Sequence, residues 1–276
     1  MRTLRLIGTT LLMVLCAVNF TACSDDEDEN NDTNNGINPQ KVFVNGMPKQ
    51  VSDMKITQDA SGLVSKIETD DAVAIFKYPT TVTTRAGLPN QLVIVELTED
   101  IGTQYEEKFI FNMEIGDNGF IKHCDEKYED GELDTWDFTY STEGYMLSMK
   151  RSEGGNETTT ITYKEGDIVK TSTVSADEPE ESSDYSIDYT SNAVTTPIEN
   201  KGCLMFYDET LGIDMDEMWF AYYAGLLGKA TKHLPLKLTH KSGSYEDITN
   251  FTWTLNANGF PILLESTSKD NISIVW

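Results

Sequence analysis

The chain has 276 residues, with 46 acidic against 21 basic side chains and a formal charge of −25. A field of that sign repels phosphate backbones and anionic headgroups, which excludes nucleic acid as a partner and excludes membrane docking through basic residues. The length suffices for one sizeable core, since single all-β domains commonly reach roughly 200 to 250 residues.

Arg2 and Arg5, an apolar run from Leu11 to Val18 and small residues before Cys23 have the layout of a secretory signal peptide over residues 1–22 rather than of a membrane-spanning helix. Thr21-Ala22-Cys23 resembles the lipid-attachment signal of bacterial lipoproteins, which implies cleavage before Cys23 and acylation, as with palmitate, of its thiol. Loss of two Arg and no acids moves the charge from −25 to −27. More than one acyl chain anchors stably where one is marginal, because each buried methylene contributes about 0.8 kcal/mol. The lipid on Cys23 is then the expected link to the membrane.

Residues 23–37 form an acidic tether with too little apolar surface to fold. Within it, Ser24, Asp25, Asp26, Glu27, Asp28 and Glu29 resemble the export signal that sends Bacteroidota-type lipoproteins to the outer face of the outer membrane, which implies an exterior location. A single β-rich domain is expected over residues 38–276. Cys124 and Cys203 are left as the thiols of that domain, either one disulfide or two free groups.

From Asn38 onward, apolar residues alternate with polar ones. Trp136, Phe138 and Tyr140 fall on one face, as do Phe109, Phe111, Met113 and Ile115; Tyr145, Leu147 and Met149; Tyr185, Ile187 and Tyr189; and Phe251, Trp253 and Leu255. One apolar face and one wet face is the signature of antiparallel sheet. Leu92-Val93-Ile94-Val95 reads instead as a strand covered on both sides. Five segments, at Gly62, Gly119, Gly144, Gly166 and Gly259, place polar residues before a Gly and an apolar run soon after it, the pattern of a hairpin apex. The fold class expected is all-β with one helix: a curved antiparallel meander or partly closed barrel.

The helix is expected over 214–231, where Met215, Met218, Trp219, Tyr222, Tyr223, Leu226 and Leu227 form an i, i+3, i+4, i+7 stripe. Asp214 or Asp216 caps its start, Lys229, Lys232 and His233 crowd its end, and Pro235 stops it. It should lie on the concave side of the sheet.

No motif downstream carries chemistry. His123 and Cys124 are strand neighbours that point to opposite faces, so they do not share a site. Glu126, Glu129, Asp130 and Glu132 flank Gly131 and read as solvated turn residues. The chain lacks the D-x-[DN]-x-[DN]-G calcium pattern and Cys/His metal spacing, so neither cofactor nor metal is expected, and no catalytic residue is assigned. Aromatics make up 10% of the chain, and Trp136, Tyr145, Tyr185, Trp253 and Phe260 are the candidates for a sugar-stacking surface.

Lipid signal, glycine-turn hairpins and a late helix together resemble the Bacteroidota lipoproteins grouped as a domain of unknown function with a porin-like fold. The resemblance implies no activity. The function expected is a non-enzymatic surface module for a glycan or a partner outer-membrane protein; the alternative is a glycan hydrolase with an Asp/Glu pair distant in sequence. Ile272, Ile274 and Trp276 resemble the aromatic-ending last strand of integral barrels, but the polar run Glu157–Tyr163 argues against a wall facing lipid.

Overall fold

The computed structural model describes residues 37–79, 91–242 and 245–276. Signal peptide, Cys23 and the export residues Ser24 to Glu29 lie outside them. Ile37, expected in the tether, is buried with the core.

Strands β1 (Gln50–Val51), β2 (Met54–Gln58), β3 (Val64–Glu68), β4 (Val73–Lys77), β5 (Gln91–Glu99), β6 (Glu107–Ile115), β7 (Ile121–Tyr128) and β8 (Leu133–Tyr140) form the first half of the sheet. The second half is β9 (Met146–Arg151), β10 (Glu157–Lys164), β11 (Asp167–Ser175), β12 (Ser183–Asp188), β13 (Lys237–Ser242), β14 (Tyr245–Leu255), β15 (Pro261–Ser266) and β16 (Ile272–Val275). Each pairs antiparallel with its sequence neighbours, and β1 closes on β16 through Gln50↔Val275 and Val51↔Ile274. The meander expected from period-2 patterning is present, but as a closed barrel rather than a partly closed one.

Antiparallel order divides the connections between two rims. One rim carries the turns at Gly62, Gly119, Gly144, Gly166 and Gly259, and beside each the ladder slips by one residue, a β-bulge. The bulge between β8 and β9 corrects the parity read from the sequence. Met146, Met149 and Arg151 are buried, while Leu147 is 39% exposed, because the extra residue flips the strand face. The run at Leu92–Val95 is covered on one side only: Val93 and Val95 are fully buried, whereas Leu92 is exposed.

The wall is apolar inside and charged outside. Phe76, Val95, Phe109, Phe111, Ile121 and Trp136 face the lumen. Outside, Lys77–Glu96, Lys122–Glu114, Lys170–Asp184 and Lys237–Asp188 pair across neighbouring strands.

Between β12 and β13 the chain enters the barrel and fills it. This plug contains a short helix α1 (Tyr207–Leu211) and a 3-10 turn over Asp216–Ala221. The long helix expected over 214–231 does not form. Gly225 and Gly228 hold φ of 75° and 87°, which an α-helix does not accommodate. A Cβ on Gly225 would lie 2.7 Å from Pro39 Cα, so its side-chain hydrogen is what lets two backbones meet. The apolar stripe is nonetheless used inside the barrel: Phe220 packs edge-on against Phe76 and Phe111, at 5.7 and 5.1 Å between ring centres. Polar threonines bridge wall to plug, as where Thr171 Oγ1 donates to Leu211 O.

Candidate functional site

The rim opposite the glycine turns gathers carboxylates. The bulge at Lys122 sets the parity of β7 so that Cys124 and Glu126 both point inward. Glu126 is therefore fully buried, correcting the expectation that it is a solvated turn residue. Trp136 Nε1, on β8, donates to Glu126 Oε2 at 2.7 Å, while Glu126 Oε1 is buried without a partner. On β9, Arg151 takes the inward position opposite Trp136 on one side and Glu157 on the other. Its guanidinium lies 5.7 Å from the Trp136 ring centre and donates to Glu157, to Asp214 at 2.8 Å and to Asp216 at 3.1 Å. Burial opposes the charge on Arg151, yet Asp214 and Glu157 outweigh it and hold its pKa above the ordinary value.

The plug and the β9–β10 connection bring three more acids. One oxygen each from Glu153, Asp216 and Glu217 lies within 4.8 Å of the others. Glu153 Oε2 and Glu217 Oε2 are buried without hydrogen-bond partners. Asp216 sits at φ 43°, a left-handed backbone unusual for a residue other than glycine, and its N–H is held by Asp214 Oδ1. Burial, reinforced by neighbouring carboxylates, pushes Glu126 and Glu153 up to about 7 and Glu217 to about 8. Three carboxyl groups thus titrate near neutrality on one rim.

Beside them a cavity of about 680 Å³ is lined by Asp53, Glu99, Asp214, Asp216, Glu217 and Asp270 among its polar residues, with Trp219, Tyr207 and Tyr223 on its aromatic side. Trp219 is half-buried and Lys269 Nζ reaches Asp208 at 2.6 Å. The mouth offers hydrogen-bond acceptors, an aromatic edge and a negative field.

The aromatics chosen from sequence do not assemble there. Trp136 and Trp253 are buried, the latter with Nε1 bound to Pro235 O. Tyr145 packs on Tyr163, Tyr185 stacks on His240 and Phe260 meets Trp276, three half-buried rings with separate partners. The five share no platform. Among other residues weighed, His123 faces outward between Asp137 and Asp125 while Cys124 faces in, as alternation requires. His233 does not cap a helix; its ring and its backbone N–H both bond the Asp167 carboxylate. Cys124 and Cys203 are both free thiols.

Sequence reading missed Glu126, Arg151 and Trp219. For the first two a signal existed: Glu126 shares parity with Cys124, and Arg151 with Met149. Trp219 was absorbed into a helical stripe.

The fold and site define a closed, plugged antiparallel barrel with an acidic mouth. The chain belongs to the family described as a domain of unknown function (DUF4595) with porin-like fold, which it matches over residues 49–262. Two solved structures are similar in fold. A porin-like protein from Bacteroides vulgatus ATCC 8482 gives a TM-score of 0.57 at 13% identity, covering 84% of this chain and 99% of its own. A porin-like protein from Bacteroides uniformis ATCC 8492 gives 0.54 at 15% identity, covering 80% and 89% respectively. No curated protein matches the chain.

Proposed function

We propose that the chain is a lipid-anchored, non-enzymatic binding module of the bacterial outer membrane, displayed on the cell exterior, that takes a glycan in its acidic mouth. The observation that carries this reading is the polarity of the barrel wall. A spanning barrel needs an apolar band outward, and a Lys or Arg there costs about 2 to 4 kcal/mol at the bilayer midplane. Here Lys77–Glu96, Lys122–Glu114 and Lys170–Asp184 occupy that face, while Phe220 and Tyr222 fill the lumen. Membrane attachment then falls to lipid on Cys23, with residues 1–22 as the cleaved leader, Ser24 to Glu29 as the export signal and residues 38–276 as the displayed domain. At the mouth, Asp53, Asp214 and Asp270 can accept sugar hydroxyls and the half-buried Trp219 can stack on a ring face.

Calorimetric titration of the full chain with neutral oligosaccharides tests the ligand. Trp219→Ala should weaken binding about tenfold, consistent with the loss of a central aromatic contact, and the sugar should be recovered intact. Unchanged affinity in that variant, or cleaved product, sinks the reading. For the anchor, Cys23→Ser should lose palmitate label and leave the membrane fraction; retention after alkaline carbonate would speak for a spanning barrel instead.

A further inference from the structure

We infer that the mouth holds a hard divalent cation, Ca²⁺ by size, on the carboxylates of Glu153, Asp216 and Glu217, with the free oxygen of Glu126 as the buried acceptor behind them. The inference deepens the reading of the mouth as a binding site and rests on that reading for its location.

Spacing is the first argument. Calcium binds oxygen at about 2.4 Å, so two ligand oxygens on one ion lie at most about 4.8 Å apart. The oxygens of Glu153, Asp216 and Glu217 meet that limit mutually. Satisfaction is the second. Glu126 Oε1, Glu153 Oε2 and Glu217 Oε2 are buried with no donor, although buried acceptors are ordinarily paired. Glu126 is the telling member, because it is fully buried, its other oxygen is fixed by Trp136, and its charge is felt by both Glu153 and Glu217. Glu153 also lies within hydrogen-bond reach of Asp216. Two carboxyl groups at that range are held together by a shared proton or by a cation that displaces it. The one guanidinium of the cluster spends its hydrogen bonds on Glu157, Asp214 and Asp216, so Arg151 reaches Glu126 and Glu153 through its field alone and donates to none of the free oxygens of Glu126, Glu153 and Glu217.

Ligand chemistry selects the ion. An all-carboxylate set with neither imidazole nor thiolate disfavours zinc and copper, and ligands drawn from two irregular segments, the β9–β10 connection and the plug, suit the loose geometry of calcium better than the strict octahedron of magnesium. The strained backbone at Asp216 fits this role: φ 43° is sustained where it aims a carboxylate at its neighbours rather than away.

The test is terbium luminescence on the chelator-stripped full chain, excited through tryptophan, since Trp136 bonds Glu126 and Trp219 flanks the cluster. Saturable emission displaced by Ca²⁺, and far less by equal Mg²⁺, is expected. Glu217→Gln should weaken Ca²⁺ competition about tenfold or more, in line with the loss of one ligand. Removing a like charge should not unfold the chain, and near-ultraviolet circular dichroism verifies that. Asp208→Asn, which lines the cavity outside the cluster, should leave affinity within about twofold as a charge-field control. Absence of Ca²⁺-displaceable emission overturns the inference, as does a Glu217→Gln protein that binds like the parent, or an Asp208→Asn protein that loses as much. Because no sugar is present, glycan binding without this signal refutes the cation alone, and the signal without glycan binding refutes the glycan alone.

Discussion

At the rim carrying Gly62, Gly119, Gly144, Gly166 and Gly259, chain reversals are tight and the plug is bound through backbone. Lys229 N–H donates to Gly144 O, and Lys232 N–H to Gly166 O. The opposite rim presents side chains of one sign, Glu126, Glu153, Asp214, Asp216 and Glu217, of which Arg151 bonds Asp214 and Asp216. Backbone pairing at one end is locally satisfied and demands nothing of the solvent; the other end keeps buried oxygens unpaired. The contrast teaches that the plug is pinned at the glycine rim so that its acidic turn can be held against its own repulsion at the mouth, an arrangement that sacrifices stability for a binding-competent charge density.

The sharpest way to break this contrast is to cut the plug's packing between the rims. Phe220→Ala should destabilise the chain by about 4 kcal/mol, since a fully buried ring leaves a cavity between Phe76 and Phe111; a loss below about 1 kcal/mol in urea unfolding would show that the plug does not support the wall. Arg151→Met attacks the mouth directly. It leaves buried Glu157 without its partner and should cost about 3 kcal/mol at neutral pH, as for one half of a buried pair, read by urea unfolding.

Stability should also run against the usual acid trend. Glu126 has a folded pKa raised to about 7 from 4.5, so the folded state binds the extra proton between these values and stability falls as pH rises through that window. From pH 5 to pH 8, with chelator present, Glu126 alone should contribute a decline of up to about 2.5 kcal/mol, by the conversion of about 1.36 kcal/mol per pKa unit. Glu126→Gln should make the decline shallower and leave the shares of Glu153 and Glu217; an unchanged slope would place the titration elsewhere. Smallest of all, Lys170→Ala on the outer wall should change stability by less than about 0.5 kcal/mol, because its partner Asp184 is half-exposed and screened.

Much of the wall was legible. Alternation at Phe109, Phe111 and Met113 gave the correct inward face, and Gly144 marked a true reversal, because pleat parity and positive φ are local properties. Parity failed at Leu147, where a bulge adds one residue without any compositional mark. The helical stripe at Met218, Trp219, Tyr222 and Tyr223 misled for a related reason: a segment surrounded by wall is apolar on many sides, so burial mimics amphipathic periodicity.

The sequence by itself determined an acidic antiparallel meander, its reversals and most of the residues that face inward, since each follows from interactions between near neighbours along the chain. Only the tertiary structure decided that β1 closes on β16, that the 214–231 segment threads the lumen as an irregular plug, and that Glu126 and Glu153 meet Asp216 and Glu217 at one rim. Closure and plugging bury Glu126 and half-bury Glu153 and Glu217, and desolvation at that distance along the chain has no local signature in the residues that suffer it.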